Sequence, residues 1–223
     1  MKNKITSTCL TLFFTLNIHF TVFALGNTDS TNKQSKIHVG FSAGPNFTHV
    51  VKNYYLDEPK PVLKYSAGLF FQYDFSKLSA LRLEVDYSRK GVKSGGGFID
   101  VVGNNTTYQP IYYDRLSLPL YYRLTSGKFF IDVGIFAGYA LRNIYIYNYN
   151  NGSPSEKYVE RWIKPFYKGI SGGFGFNFLS KKSFLLSAEL RDNLELTNEK
   201  SFNGYNWYRL NTIDLLFSFA FKL

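Results

Sequence analysis

The sequence predicts an all-β fold: an eight-stranded antiparallel up-and-down transmembrane β-barrel, with short periplasmic turns and long extracellular loops. Three observations lead there. Apolar and polar residues alternate with period two through eight stretches, the pattern of strands with one apolar face. The connections between them alternate short and long, as in barrels of the outer membrane. Aromatic residues make up 19% of the chain, with 22 Phe and 18 Tyr, which suits a wall that meets lipid on one face and carries aromatic girdles.

Residues 1–24 read as a secretory signal. Lys2 and Lys4 form its charged start, an apolar run extends from Leu10 to Phe23, and Val22-Phe23-Ala24 fits the cleavage pattern, so cleavage is expected after Ala24. Asn17 and His19 interrupt the run and leave it short for a spanning helix. Residues 25–36 are polar and read as a flexible N-terminal segment, and residues 37–223 as the barrel domain. The single cysteine, Cys9, falls in the leader, so the mature chain is expected to lack disulfides and thiol chemistry.

The first predicted strand spans about 37–48, with Ile37, Val39, Phe41, Ala43 and Phe47 on its apolar side. The second spans about 63–75, from Leu63 through Leu69 to Phe75. The third, about 80–90, alternates Leu81, Leu83, Val85 and Tyr87 with Arg82, Glu84, Asp86 and Ser88. The fourth and fifth lie within 115–141 and are joined by Ser126-Gly127, a two-residue hairpin signal. Pro119 interrupts the fourth; it cannot donate to a ladder, so a local bulge is expected there. The sixth covers about 166–178, the seventh about 183–191 and the eighth about 209–223. Each is near the roughly 9–11 residues that a tilted strand needs to cross a bilayer. The short connections are 76–79, 125–127 and 179–182; the long ones are 49–62, 91–110, 142–165 and 192–208. An even strand number places both ends of the barrel domain on the periplasmic side.

Alternation alone does not say which face points outward, since a soluble barrel reverses the faces. Glycines decide it. Gly40, Gly44, Gly68, Gly134, Gly138, Gly173 and Gly175 fall on the polar face, and glycine in a strand needs close approach of other groups to justify it. A crowded lumen supplies that. The same face carries Lys64, Arg82, Lys90, Arg115, Arg123, Arg191 and Lys222 against Asp74, Glu84, Asp86, Asp132, Glu189 and Asp214. Such a balance predicts an internal charge network, with Arg82, Glu84, Asp86, Arg115, Arg123, Asp132, Glu189, Arg191 and Asp214 as its members, because buried charges require partners.

The formal charge is +10, a balance that often means nucleic acid. Here the surplus is spread over termini and turns, with no basic helix or stacking motif, so no nucleic-acid partner is expected. Catalytic signals are sparse. Outside the leader only His38 and His49 remain. His49 sits near the outer rim with Asp57 and Glu58 in the same loop, and a lone rim histidine reads first as an interfacial residue. No catalytic set, cofactor fingerprint or metal-ligand spacing appears. Gly95-Gly96-Gly97 reads as loop flexibility. Tyr145, Tyr147 and Tyr149 alternate with Asn residues; they are candidate loop contacts for a ligand, although a strand extension with an aromatic belt explains them as simply.

Four stretches resemble the PorT-like outer-membrane β-barrel family: Leu116-Ser117-Leu118-Pro119-Leu120-Tyr121-Tyr122-Arg123-Leu124, then 40–47, 132–139 and 190–198. Ser42, Asp192 and Glu195 depart from residues common in that family. The resemblance implies an outer-membrane location and an eight-stranded fold, and it implies no reaction. The expectation is therefore a non-enzymatic outer-membrane barrel with a filled lumen, acting structurally or through its loops. Its partners would be outer-membrane lipid, the barrel assembly machinery and an extracellular or periplasmic protein. The alternatives are a narrow pore or secretion- or transport-associated component, and an outer-leaflet lipid-modifying enzyme.

Overall fold

The computed structural model describes residues 36–52, 60–93, 97–99, 105–148, 154–158, 165–197, 199–200 and 207–223. The leader with Ala24, the segment 25–35, and Asp57, Glu58, Gly95, Gly96 and Tyr149 lie outside the described residues.

Among the described residues eleven strands follow one another: β1 (Ile37–Lys52), β2 (Lys60–Asp74), β3 (Ser79–Lys93), β4 (Gly97–Ile99), β5 (Asn105–Ser126), β6 (Phe129–Asn148), β7 (Pro154–Tyr158), β8 (Phe166–Ser180), β9 (Phe184–Glu195), β10 (Glu199–Lys200) and β11 (Trp207–Lys222). Eight of them close a ring in the order β5-β3-β2-β1-β11-β9-β8-β6, and β6 returns to β5. Each neighbouring pair in the ring is antiparallel. The short β4, β7 and β10 pair with β5, β6 and β11 inside stretches expected to be loops.

All ring strands but β8, which starts at Phe166 as expected, run past their expected outer ends, by four residues at β1 and by ten at the start of β5. Above the membrane both faces of a hairpin meet water, so apolar alternation no longer marks a strand that is still paired.

Register fixes the barrel geometry. Paired residues lead once around the wall from Phe129 through Phe176, Ala188, Phe217, Ala43, Ala67, Tyr87 and Leu116 to Tyr139, which is ten residues further along the same strand (129 to 139). Eight strands with a shear of ten tilt by about 40° and enclose a lumen of about 8 Å radius measured to the backbone. The same geometry lifts a residue about 2.5 Å along the barrel axis for each step along a strand.

Faces follow the alternation. Leu69, Leu83, Leu118, Ile135, Phe174, Leu190 and Phe217 are exposed on the outer wall, while Arg82, Glu84, Arg115, Arg123, Asp132, Glu189 and Arg191 are buried inside. Aromatic girdles frame the band: Tyr73 packs edge-on against Phe75, Phe129 stacks on Phe174, and at the outer end Tyr139 meets Phe166 edge-on.

The bulge expected at Pro119 is absent. Leu83 pairs with Leu120 and Asp86 with Ser117 in one continuous register, while the two pairs between them drop out of the β3–β5 ladder. On its other side Pro119 pairs normally with Phe136. The proline turns its missing donor toward one neighbour, and a short gap in that ladder suffices. The β5–β6 ladder shifts register instead at two places, between Tyr108 and Ile111 and between Asp114 and Arg115.

Candidate functional site

The polar sites of this barrel converge in its lumen. β3 and β9 stand four places apart in a ring of eight, on opposite walls. From β9, Arg191 reaches across and forks onto Glu84 of β3, with Nη1 donating to Oε2 at 2.7 Å and Nη2 to Oε1 at 3.0 Å. Its Nε donates to Glu189 Oε1 at 2.7 Å. Arg82 Nε pairs with Glu84 Oε1, the oxygen that also accepts from Arg191 Nη2. Glu189 lies 3.6 Å from Arg123 Nη2, and Arg123 forks onto Asp132 at 2.8 and 2.5 Å. Asp86 lies 3.6 Å from Arg191 Nη1. Three arginines and four carboxylates thus form one continuous network across the lower lumen. Bidentate arginine–carboxylate pairs are the strong form of this contact, and pairing is what makes charges tolerable in a closed interior.

Aromatic rings carry these guanidinium groups. Arg82 lies 3.7 Å over the Phe70 ring, Arg123 3.7 Å over Phe130, and Arg191 4.4 Å over Tyr121. Such cation–π contacts strengthen as water is excluded. The rings need space, which glycine opposite them provides. A Cβ on Gly175 would fall on the Phe130 ring, and one on Gly138 on Tyr167.

Above this network runs a hydrogen-bonded belt. Asn46 donates to Ser66 at 2.8 Å, Ser66 to Asp214 at 2.6 Å, Asn193 to Asp214 at 2.5 Å, and Ser171 to Asn193 at 2.6 Å. A third layer closes the outer end. Lys90 donates to Glu195 Oε1 at 3.0 Å and Arg115 to Oε2 at 2.7 Å. Between the layers lies an enclosed space of about 30 Å³, with Asp86, Lys90, Arg191 and Asp214 in its lining, room for one or two waters.

Of the nine residues expected to form the network, Arg82, Glu84, Asp86, Arg123, Asp132, Glu189 and Arg191 are joined directly. Asp214 belongs to the hydrogen-bonded belt, and Arg115 to the outer layer. Glu195, fully buried and in a stretch expected to be loop, is the charged residue that sequence reasoning missed, and Asn46, Ser66, Ser171 and Asn193 of the belt are the neutral ones. Glu195 shares the parity of Glu189 and Arg191, so continuing the alternation four residues past Arg191 would have found it.

Other candidates stand apart from this lumen. His49 pairs across β11 with Asn211 near the outer rim, on the outward side. His38 lies at the periplasmic end, 3.3 Å from Asp74. Tyr145 and Tyr147 extend β6 in register with Ile111 and Tyr108, and their side chains lie outside the described residues. Among the described residues no group of His, Cys, Asp and Glu is placed to hold a metal ion.

A closed antiparallel ring with an apolar outer wall and a charged, paired interior is a transmembrane barrel, and residues 23–200 match the outer membrane protein beta-barrel domain family. The chain belongs to that family. It is an outer-membrane protein. No curated protein matches the chain in sequence. Solved structures similar to this barrel include neisserial surface protein A, at 14% identity and a TM-score of 0.44, covering 84% of this chain and 97% of that one. The outer membrane protein OprG from Pseudomonas aeruginosa is similar at 13% identity and a TM-score of 0.42, with 87% and 99% covered. The outer membrane protease OmpT from Escherichia coli is similar at 11% identity and a TM-score of 0.43, also with 87% and 99% covered.

Proposed function

We propose that this outer-membrane barrel is a PorT-like, non-enzymatic surface protein whose lumen is a structural plug and whose extracellular loops carry its interactions. One observation supports this above all. The Arg191–Glu84 fork spans the lumen from wall to wall and is continuous with Arg82, Glu189, Arg123 and Asp132. Ions crossing the barrel would have to break a network whose members are buried and paired by charge, at a cost of several kcal/mol. The PorT-like assignment rests on the four stretches that carry the resemblance, Pro119 and its flanking Leu118 and Leu120 foremost.

Planar-bilayer recording of the refolded protein tests the plug. The expected trace shows no large steady openings. Steady conductance in the unaltered protein would overturn the reading in favour of a narrow pore. The non-enzymatic part has its own test at His49, which forms no ion pair with a carboxylate among the described residues. In a strain that expresses the protein, His49→Ala is expected to leave lipid A and phospholipid profiles unchanged. A changed profile would make the barrel an outer-leaflet enzyme.

A further inference from the structure

The outer wall is not uniform. Across β5, β6 and β8 it carries a concavity of about 580 Å³ lined chiefly by Leu116, Leu118, Ala137, Tyr139, Phe166 and Lys168. Its floor follows from register. Leu118, Ala137 and Lys168 form one row across the three strands, and Leu116, Tyr139 and Phe166 form the next row outward. Ala137 is the small residue between larger neighbours, and the edge-on pair of Tyr139 and Phe166 is the upper lip.

The rim of this groove is cationic. One row further out, Arg89, Asp114 and Arg142 are register partners on β3, β5 and β6. Both arginines bind the one carboxylate: Arg89 Nε donates to Asp114 Oδ1 at 2.7 Å and Arg142 Nε to Oδ2 at 2.9 Å. The Arg142 side chain, although bound to Asp114, is 46% exposed at the rim. Lys168 adds a second positive charge on the lipid-facing side of β8. Measured along the strands from Phe129, Lys168 stands about 23 Å and Arg142 about 30 Å up the barrel axis. The apolar band is about 25 Å tall, so Lys168 sits near its outer edge, in the lining of the groove itself, and the arginine row stands just above the groove.

A slot for hydrocarbon under a row of positive charge, on the outer half of the wall, fits one class of molecule. The geometry points to a binding site for a phosphorylated, multiply acylated glycolipid of the outer leaflet, of the lipid A type. One acyl chain lies along Leu118 and Ala137, and its phosphate meets Lys168 and the Arg89–Asp114–Arg142 row. The site is on the outside of the barrel and does not depend on whether the lumen is plugged.

The test uses the purified full chain in detergent, native mass spectrometry, and purified lipid A as the probe. Phosphatidylglycerol and dephosphorylated lipid A serve as comparisons. Lipid A is expected to bind the unaltered protein, and removal of its phosphates to weaken binding about fivefold or more, as loss of a cation–phosphate contact at a surface does. Lys168→Gln is expected to weaken binding to a similar degree. Ala137→Phe, which fills the groove, is expected to do so whether or not the phosphates are present. Val133→Phe, on the outer wall outside the groove, is expected to bind as the parent does. Equal binding of lipid A and its dephosphorylated form to the unaltered protein would overturn the proposal without any variant having to fold. So would phosphatidylglycerol binding as tightly as lipid A, or a folded Ala137→Phe that binds as well as the parent.

Discussion

Asp192 is a charged residue in the wrong solvent. It is exposed on the outer side of β9, in register with Gly172 and Ile213, about 16 Å up from Phe129 and therefore within about 4 Å of the middle of the apolar band. A carboxylate on the lipid face costs stability, less than a cation would and less toward the interface. Asp192→Leu is expected to stabilise the lipid-refolded barrel by about 1 kcal/mol or more, read as a raised urea midpoint; a lowered midpoint would mean that Asp192 faces something other than lipid. The interior argues the opposite way. Asp132 is fully buried and accepts both forks of Arg123. Asp132→Ala leaves a buried guanidinium with only the distant Glu189, at an expected cost of about 3 kcal/mol. Adding Arg123→Met to it should cost less than the two single losses together, and strict additivity in equilibrium unfolding would show that the pair is not coupled. Sequence reasoning reached Asp132 and Arg123 through parity and charge balance. It could not tell which acid meets which arginine, because cross-barrel partners such as Glu84 and Arg191 are 107 residues apart and only the closed ring brings them together.

Strands carry a second set of constraints, visible in two glycines of opposite character. Gly172 of β8 faces outward, and a Cβ there would have its nearest neighbour 3.8 Å away. Gly44 of β1 faces inward, and a Cβ there would collide with the backbone carbonyl of Leu215 on β11. Backbone cannot step aside as a side-chain tip can. Gly172→Ala is expected to stabilise the barrel by about 0.5 kcal/mol through the unfolded chain's lost freedom, while Gly44→Ala is expected to destabilise it by more than that gain. Denaturant titrations of the two variants read the contrast, and equal effects would sink it. The positions of most strands were legible in the sequence because one face of each had to be apolar for lipid and the other polar for the lumen. Their outer ends were not legible, since above the membrane that distinction disappears; Glu195 was lost for a different reason, that Asp192 on the outer face interrupts the apolar alternation three residues before it. Pro119 misled for a related one: a proline forbids a donor on one side only, and the neighbouring strand tolerated the gap without a change of register.

At the scale of the whole barrel, strand number and shear decide how much room the lumen has. Eight strands with a shear of ten give a radius of about 8 Å to the backbone, which inward side chains fill from both walls. The interior network and the outer apolar band are therefore two aspects of one closure, and a test of the band tests the ring. Leu83 is 48% exposed on the outer wall of β3, between the buried Arg82 and Glu84. It stands within about 4 Å of the middle of the apolar band. Leu83→Arg puts a cation into hydrocarbon there, and about 2 kcal/mol of stability in lipid should be lost. The parent barrel is expected to migrate differently on SDS gels when unheated and when boiled, because a closed ring of eight ladders has no edge from which to fray. Leu83→Arg should show the same two bands with the folded one depleted at a lower urea concentration. A substitution at Arg82, one residue away and facing inward, should act through the network instead, and its cost should be altered by a second substitution at Glu84 while that of Leu83→Arg is not. If Leu83→Arg folded into lipid as well as the parent, the outer and inner faces would be reversed, and the charged network would line the outside of a soluble barrel.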